Sequence, residues 1–231
     1  MPSTFSAYPE ITAGFFMAVD GTMAINGGFE NRLKYLQTHD LNLEQTVHAG
    51  LCHGTKIALV AAVDGGKIVD NTDGLITGEP NLALAMTAAD CLLLSAYDPV
   101  QKVIGQLHAG RRGLAENVIT QFFSFWITTF PSKAEDIIVD CSPSICAQHY
   151  TVSEEDAEKF AIWPDACQKR GDAIHLDMRK VSRHQLLKSG VLPENIITSQ
   201  RCTFEDTQLF SYRRDHPNTP QLQVGYISRS V

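Results

Sequence analysis

Apolar residues recur along this chain at two periods, and the change from one to the other divides it into elements. Short apolar or alternating runs, bounded by polar or turn-forming residues, predict strands over 46–52, 56–63, 82–87, 92–97, 103–107, 137–141, 173–176 and 196–199. Apolar positions at helical spacing predict helices over 30–39, 114–130, 154–160 and 178–189. In the second of these, Leu114, Val118, Phe122 and Phe125 form a stripe that Pro131 stops. Ser153 followed by Glu154, Glu155 and Asp156 reads as an N-cap with acidic residues at the positive end of the helix dipole. Strands outnumber helices and gather mid-chain rather than alternating with them. The expected architecture is therefore α+β, with mixed β-sheet layers partly covered by helices, in a single domain over 1–231.

Composition removes several function classes. With 231 residues, 44% hydrophobic and 19% charged, the chain has the make-up of a globular protein rather than a fibrous or disordered one. A net charge of −7 argues against a nucleic-acid-binding face, although a local arginine cluster can still hold a small anion. The most apolar stretches, 91–97 and 122–130, are far shorter than a membrane span. Residues 1–13 lack the basic flank and apolar run of an export signal, so the expected location is cytoplasmic. In that reducing compartment the six cysteines are expected in packing or metal roles rather than in disulfides. Cys141, Cys146 and Cys167 read as packing residues.

Three potential ligands sit at the edges of apolar strands beside small or turn-forming residues: His53-Gly54, Asp90-Cys91 and His108-Ala109-Gly110. Two imidazoles and a thiolate suit zinc, and three protein ligands leave a position open, as in catalytic zinc sites. Taken singly, each histidine reads equally as a strand-capping residue and Cys91 as a small buried hydrophobe. The segment His108-Ala-Gly-Arg-Arg-Gly113, placed before the long helix, has the make-up of an anion site, with Arg112 favoured over Arg111 as the phosphate ligand. In Phe210-Ser-Tyr-Arg-Arg-Asp215, Tyr212 beside Arg213 and Arg214 suits a planar ligand carrying an anion, or equally an edge strand whose Arg214 pairs with Asp215. Asp73-Gly74 reads as ordinary turn chemistry.

In combination, His53-Gly54, Asp73-Gly-Leu-Ile-Thr77, Thr87-Ala-Ala-Asp-Cys91, His108-Ala-Gly-Arg-Arg-Gly113, Cys202-Thr203 and Phe210-Ser-Tyr-Arg-Arg214 occur in the order of one family. From about Gly14 to Ile227 the chain resembles the laccase-domain family, long labelled multicopper polyphenol oxidases and now understood as purine nucleoside phosphorylases. The resemblance implies zinc held by His53, Cys91 and His108. It also implies phosphorolysis of adenosine, inosine, guanosine and methylthioadenosine, with adenosine deamination at the same site. The implied fold is α+β, similar to that of a toxin deamidase with a catalytic Cys–His pair. On this reading Cys91, His108 and Asp90 are catalytic, with Asp90 the candidate nearest in sequence for the proton shuttle that deamination needs, while Arg112 and Arg213 or Arg214 hold phosphate.

Two departures bear on substrate preference. The family's Gln-Val-His-Gly is Leu51-Cys-His-Gly54 here, and the tryptophan of its His-Ala-Gly-Trp-Arg-Gly is Arg111. Three rival functions stand beside this one. Copper suits the same three ligands, but a multicopper oxidase is assembled from His-x-His pairs and all eight histidines here are isolated. A metal-free cysteine hydrolase would use Cys91 as nucleophile and His108 as base. A binding module would hold purine nucleosides without turning them over.

Overall fold

The computed structural model describes residues 4–24, 28–38, 41–216, 218 and 221–231. In chain order the elements are β1 (Ile11–Phe15), α1 (Phe29–Thr38), β2 (Thr46–Gly50), β3 (Ile57–Leu59), β4 (Ile68–Asp70), β5 (Gly74–Thr77), β6 (Ala83–Ala88), β7 (Leu92–Asp98) and β8 (Val103–Ala109). There follow α2 (Arg111–Ala115), α3 (Val118–Thr129), β9 (Ile138–Cys141), β10 (Thr151–Val152), α4 (Glu154–Glu158), β11 (Cys167–Arg170), β12 (Ala173–Leu176), α5 (Met178–Lys188), β13 (Ile196–Thr198), α6 (Tyr212–Asp215) and β14 (Gln223–Arg229). The strands form a five-stranded sheet β1-β14-β6-β2-β4, a six-stranded sheet β13-β9-β7-β8-β5-β3 and a small sheet β10-β12-β11. Both large sheets mix parallel and antiparallel pairs, so the architecture is α+β as expected.

Alternation along β7 explains how the layers stack, because successive side chains leave a strand on opposite faces. Leu92, Leu94 and Ala96 pack against Val118, Phe122, Phe123 and Trp126 of α3 and against Val181 and Leu186 of α5. Leu93 and Tyr97 point the other way, into a core shared with Val47 of β2, Leu84 and Met86 of β6 and Ile227 of β14. The far face of the five-stranded sheet, through Ala85, Val224 and Tyr226, is covered by Phe16 and Met23. The order of layers is thus helices, six-stranded sheet, five-stranded sheet, N-terminal cover. Among the described residues no helix is long and apolar enough to cross a membrane.

The expected strands at 46–52, 82–87, 92–97, 103–107, 137–141, 173–176 and 196–199 appear with ends moved by at most two residues. The strand expected over 56–63 is only Ile57–Leu59, since residues 62–64 wind into a 3-10 turn that leads to β4. The helix expected over 114–130 is two helices. Asn117 takes a left-handed conformation (φ 61°) between them, and α2 begins three residues early, with Gly110 as its N-cap. Leu114, Val118 and Phe122 all face the same core, so their stripe runs unbroken across the break. Residues 212–215 form a helical turn instead of an edge strand, because the Ser211 hydroxyl accepts the Arg214 backbone N–H at 3.1 Å. The helix expected to reach His39 is described as far as Thr38; His39 lies outside the described residues. All six cysteines are thiols.

Candidate functional site

Each of the three potential ligands is delivered by a different local device. His53 follows β2 in a loop and adopts φ 60°. Cys91 sits in the turn where the chain leaves β6 in one sheet for β7 in the other, a turn made possible by Asp90 at φ 84°. His108 belongs to β8 itself, opposite Leu93 of β7, and its backbone N–H donates to the Asp73 carbonyl at 2.8 Å. One ligand atom from each of His53, Cys91 and His108 lies within 4.8 Å of the others.

Asp73, wholly buried, organises two of them. Its Oδ1 accepts the His53 backbone N–H at 3.0 Å and contacts His108 Nδ1 at 2.9 Å. Its Oδ2 accepts the Gly54 N–H at 2.8 Å and the Cys52 thiol at 2.9 Å. The carboxylate therefore fixes the His53 loop and occupies His108 Nδ1, which leaves Nε2 to face Cys91 and His53. A ligating histidine held from behind by a carboxylate is the usual outer support of a metal site. Burial by itself would raise the Asp73 pKa, but the hydrogen bonds from His108, Cys52 and Gly54 overcome it and keep the group ionised. Burial would likewise raise the Cys91 thiol, yet His108 and His53 bring it down; the same contacts, with Asp73, hold His108 up against its own burial. Thiolate character at Cys91 is what a metal ligand needs. Close approach matters too: a Cβ at Gly110 would fall 3.0 Å from Cys91 Sγ and 3.1 Å from His108 Cε1. The donor set and its support fit one transition-metal ion with an open position.

Beside the triad lies a polar cleft of about 230 Å³ lined by Arg111, Tyr150, Thr151, Asp156 and Arg213 among others. Arg213 lies 4.9 Å from the Tyr150 ring centre and donates to the carbonyl and hydroxyl oxygens of Thr151. Arg111 is paired with Asp156. Burial pushes the Tyr150 phenol up, and the nearby Cys91 thiolate adds to this against the pull of Arg111 and Arg213. Tyr150 therefore lines the cationic cleft within electrostatic reach of Cys91.

The structure distributes the remaining residues differently from the sequence expectation. Arg111, not Arg112, lines the cleft; Arg112 is exposed in the first turn of α2. Arg214 is taken up elsewhere: its guanidinium donates to the carbonyls of Thr203 and Leu209, both at 2.8 Å, and forms a fork on Asp215. It ties the 203–209 loop to α6 and has no hand left for phosphate. Asp90 accepts Thr203 Oγ1 at 2.6 Å and the Arg213 backbone N–H at 2.7 Å. Both oxygens thus anchor the segment that carries Arg213. Tyr212 is more than half exposed and lies outside the lining of the cleft. Sequence reasoning missed Asp73 and Tyr150, whose partners are distant in the chain and leave no local signal.

The chain matches the family described as multi-copper polyphenol oxidoreductase laccase over residues 26–227. It is 30% identical over 206 residues to the purine nucleoside phosphorylase YlmD of Bacillus subtilis, covering 84% of this chain and 74% of that one. It is also 30% identical over 206 residues to the human purine nucleoside phosphorylase LACC1, covering 86% of this chain and 47% of the relative, so it spans about half that protein's length. The crystal structure of YlmD from Geobacillus stearothermophilus superposes with a TM-score of 0.91 at 26% identity, covering 97% of this chain and 93% of that one.

Proposed function

This chain belongs to the multi-copper polyphenol oxidoreductase laccase family, and from that membership we propose that it is a cytoplasmic, zinc-dependent purine nucleoside phosphorylase. The proposed substrates are adenosine, inosine, guanosine and methylthioadenosine, with adenosine deamination as a side activity. The observation that carries this reading is the paired cationic wall of Arg111 and Arg213 beside the His53–Cys91–His108 cluster. A cleft that can grip an oxyanion next to three metal ligands suits a reaction in which phosphate is the nucleophile.

His53, Cys91 and His108 would hold the ion, which when bound supplies Lewis-acid stabilisation of developing negative charge. Arg111 and Arg213 hold the phosphate, the former exchanging part of its bond to Asp156 for the incoming anion. A phosphate oxygen forms the bond to the anomeric carbon as the C1′–N9 bond breaks, and the base leaves with that electron pair. Tyr150, protonated like any phenol at neutral pH and lining the cleft, would donate a hydrogen bond as charge builds on the base. Asp73 holds His108 in one tautomer throughout.

A second reading, the metal-free cysteine hydrolase, is favoured by the line Asp73–His108–Cys91, which has the order of an orienting acid, a base and a nucleophile. One experiment separates the two. Purified protein is incubated with adenosine, with and without phosphate and a chelator, and the products are resolved by chromatography. Adenine and ribose 1-phosphate formed only with phosphate, and lost on chelation, support the phosphorylase; inosine adds the deaminase. Product that survives complete metal removal sinks the zinc reading in favour of the thiol hydrolase.

A further inference from the structure

Among the described residues a second group of potential ligands converges outside the triad. One donor atom from each of Cys146, His149 and Glu205 lies within 4.8 Å of the others. Glu205 Oε1 is their meeting point, 3.0 Å from His149 Nε2 and 3.8 Å from Cys146 Sγ. We propose that Cys146, His149 and Glu205 form a second metal site that takes one zinc-class divalent ion.

Three features support it. The donors are nitrogen, sulfur and a carboxylate oxygen, a mixture that suits zinc and its borderline neighbours and not magnesium or calcium. The two segments that carry them are already joined. Ser144 and Cys202 form a β-bridge, the Thr203 N–H donates to the Ser144 carbonyl at 3.2 Å, and the Cys146 N–H donates to Cys202 Sγ at 3.2 Å. Arg179 adds a clamp across both through the carbonyls of Ser144 and Arg201, each at 2.6 Å. Finally, the His149 ring is set before any ion arrives, stacked on Phe204 at 4.3 Å and 13°. A ligand ring held in place beforehand loses little entropy on binding.

The competing explanation is a surface His–Glu pair that happens to have a thiol beside it. Such a pair contributes little to stability and needs no third donor. Glu205 is about half exposed, so an ion can reach it from solvent. The site is joined to the polar cleft through the chain: His149 precedes Tyr150, and Glu205 lies in the loop that Arg214 holds to α6. Its ion would join the two segments that set the cleft walls, as a structural ion rather than a reacting one.

The test is metal stoichiometry, which does not depend on activity. Full-length protein is stripped with chelator, equilibrated by dialysis against micromolar zinc, and analysed for metal per chain. The wild type is expected to hold two ions, and His53→Ala, Glu205→Gln and His149→Ala one each. Glu205→Gln is the safer variant for folding, since the side chain is half exposed, and circular dichroism checks it. Cobalt in place of zinc gives a second readout, because the thiolate band of the second site should vanish in Cys146→Ser while that of the first persists. One ion per chain in the wild type overturns the proposal. So do two ions that both survive Glu205→Gln and His149→Ala.

Discussion

One buried carboxylate does more for the candidate metal centre than any of its three ligands does for the others. Asp73 receives four donors from Cys52, His53, Gly54 and His108, and every one of them serves a ligand or the loop that presents it. Replacing it with asparagine keeps the shape but turns one oxygen into an NH₂ that faces donors. Such a mismatch costs about 1–3 kcal/mol for a buried group. Asp73→Asn is expected to weaken metal binding about 10- to 100-fold, as loss of outer support does at other histidine sites. Competition against a chromophoric chelator measures it, and unchanged affinity would show that His108 is held by packing alone. The sequence announces His53, Cys91 and His108 by residue type, yet Asp73 before Gly74 looks like any turn. Its role depends on partners up to 35 residues away. Which of Arg111 and Arg112 lines the cleft was hidden for a different reason. Consecutive helical residues point about 100° apart, so the helix starting at Arg111 instead of Leu114 decides which one meets the cleft.

At the scale of elements, helix α3 lies so close to the six-stranded sheet that β8 has no room for a side chain at Gly105. A Cβ there would overlap the Trp126 ring and fall 2.7 Å from Phe122 Cζ. Both rings are fully buried, and Trp126 stacks on Phe123, so none can step aside without disturbing the layer. Gly105→Ala is therefore expected to destabilise the fold by about 1–3 kcal/mol, the usual cost of overfilling a packed core. The midpoint of urea unfolding reads this out, and an unshifted midpoint would mean that the helix layer is looser than the geometry states. β7, buried on both faces, was legible because its residues form a nearly unbroken apolar run. β14 was not: six of its seven residues are buried, and polar Gln223 and Ser228 are among them, so no period stands out. The break at Asn117 was equally hidden, since both helices turn the same stripe inward.

The layer order of the whole molecule leaves one ionisable ring in a place that should make the fold acid-sensitive. Val47 and Ala49 of β2 face the core between the sheets, so His48 between them faces the opposite side of the five-stranded sheet. There it is buried, its Nε2 without a hydrogen-bond partner among the described residues. Burial, with the Arg32 charge adding to it, lowers the His48 pKa to about 4. Linkage gives the sign. Above the unfolded value of about 6.5 both states are neutral, and the ring costs the fold nothing. As pH falls below that value the unfolded chain binds a proton that the folded chain refuses, so stability drops until the pH approaches the folded value. Across that window the loss amounts to about 3 kcal/mol at most. Carboxylates held low in the fold, such as Asp206 and Asp215, also lose stabilisation in acid, and they do so in wild type and variant alike. Subtracting a His48→Gln variant removes their share. Urea midpoints measured between about pH 7 and pH 4 should fall faster in the wild type than in His48→Gln, the gap opening below the unfolded histidine pKa. Parallel curves would mean that the ring takes up its proton in the folded state, and that the N-terminal cover over this sheet opens more readily than its buried position states.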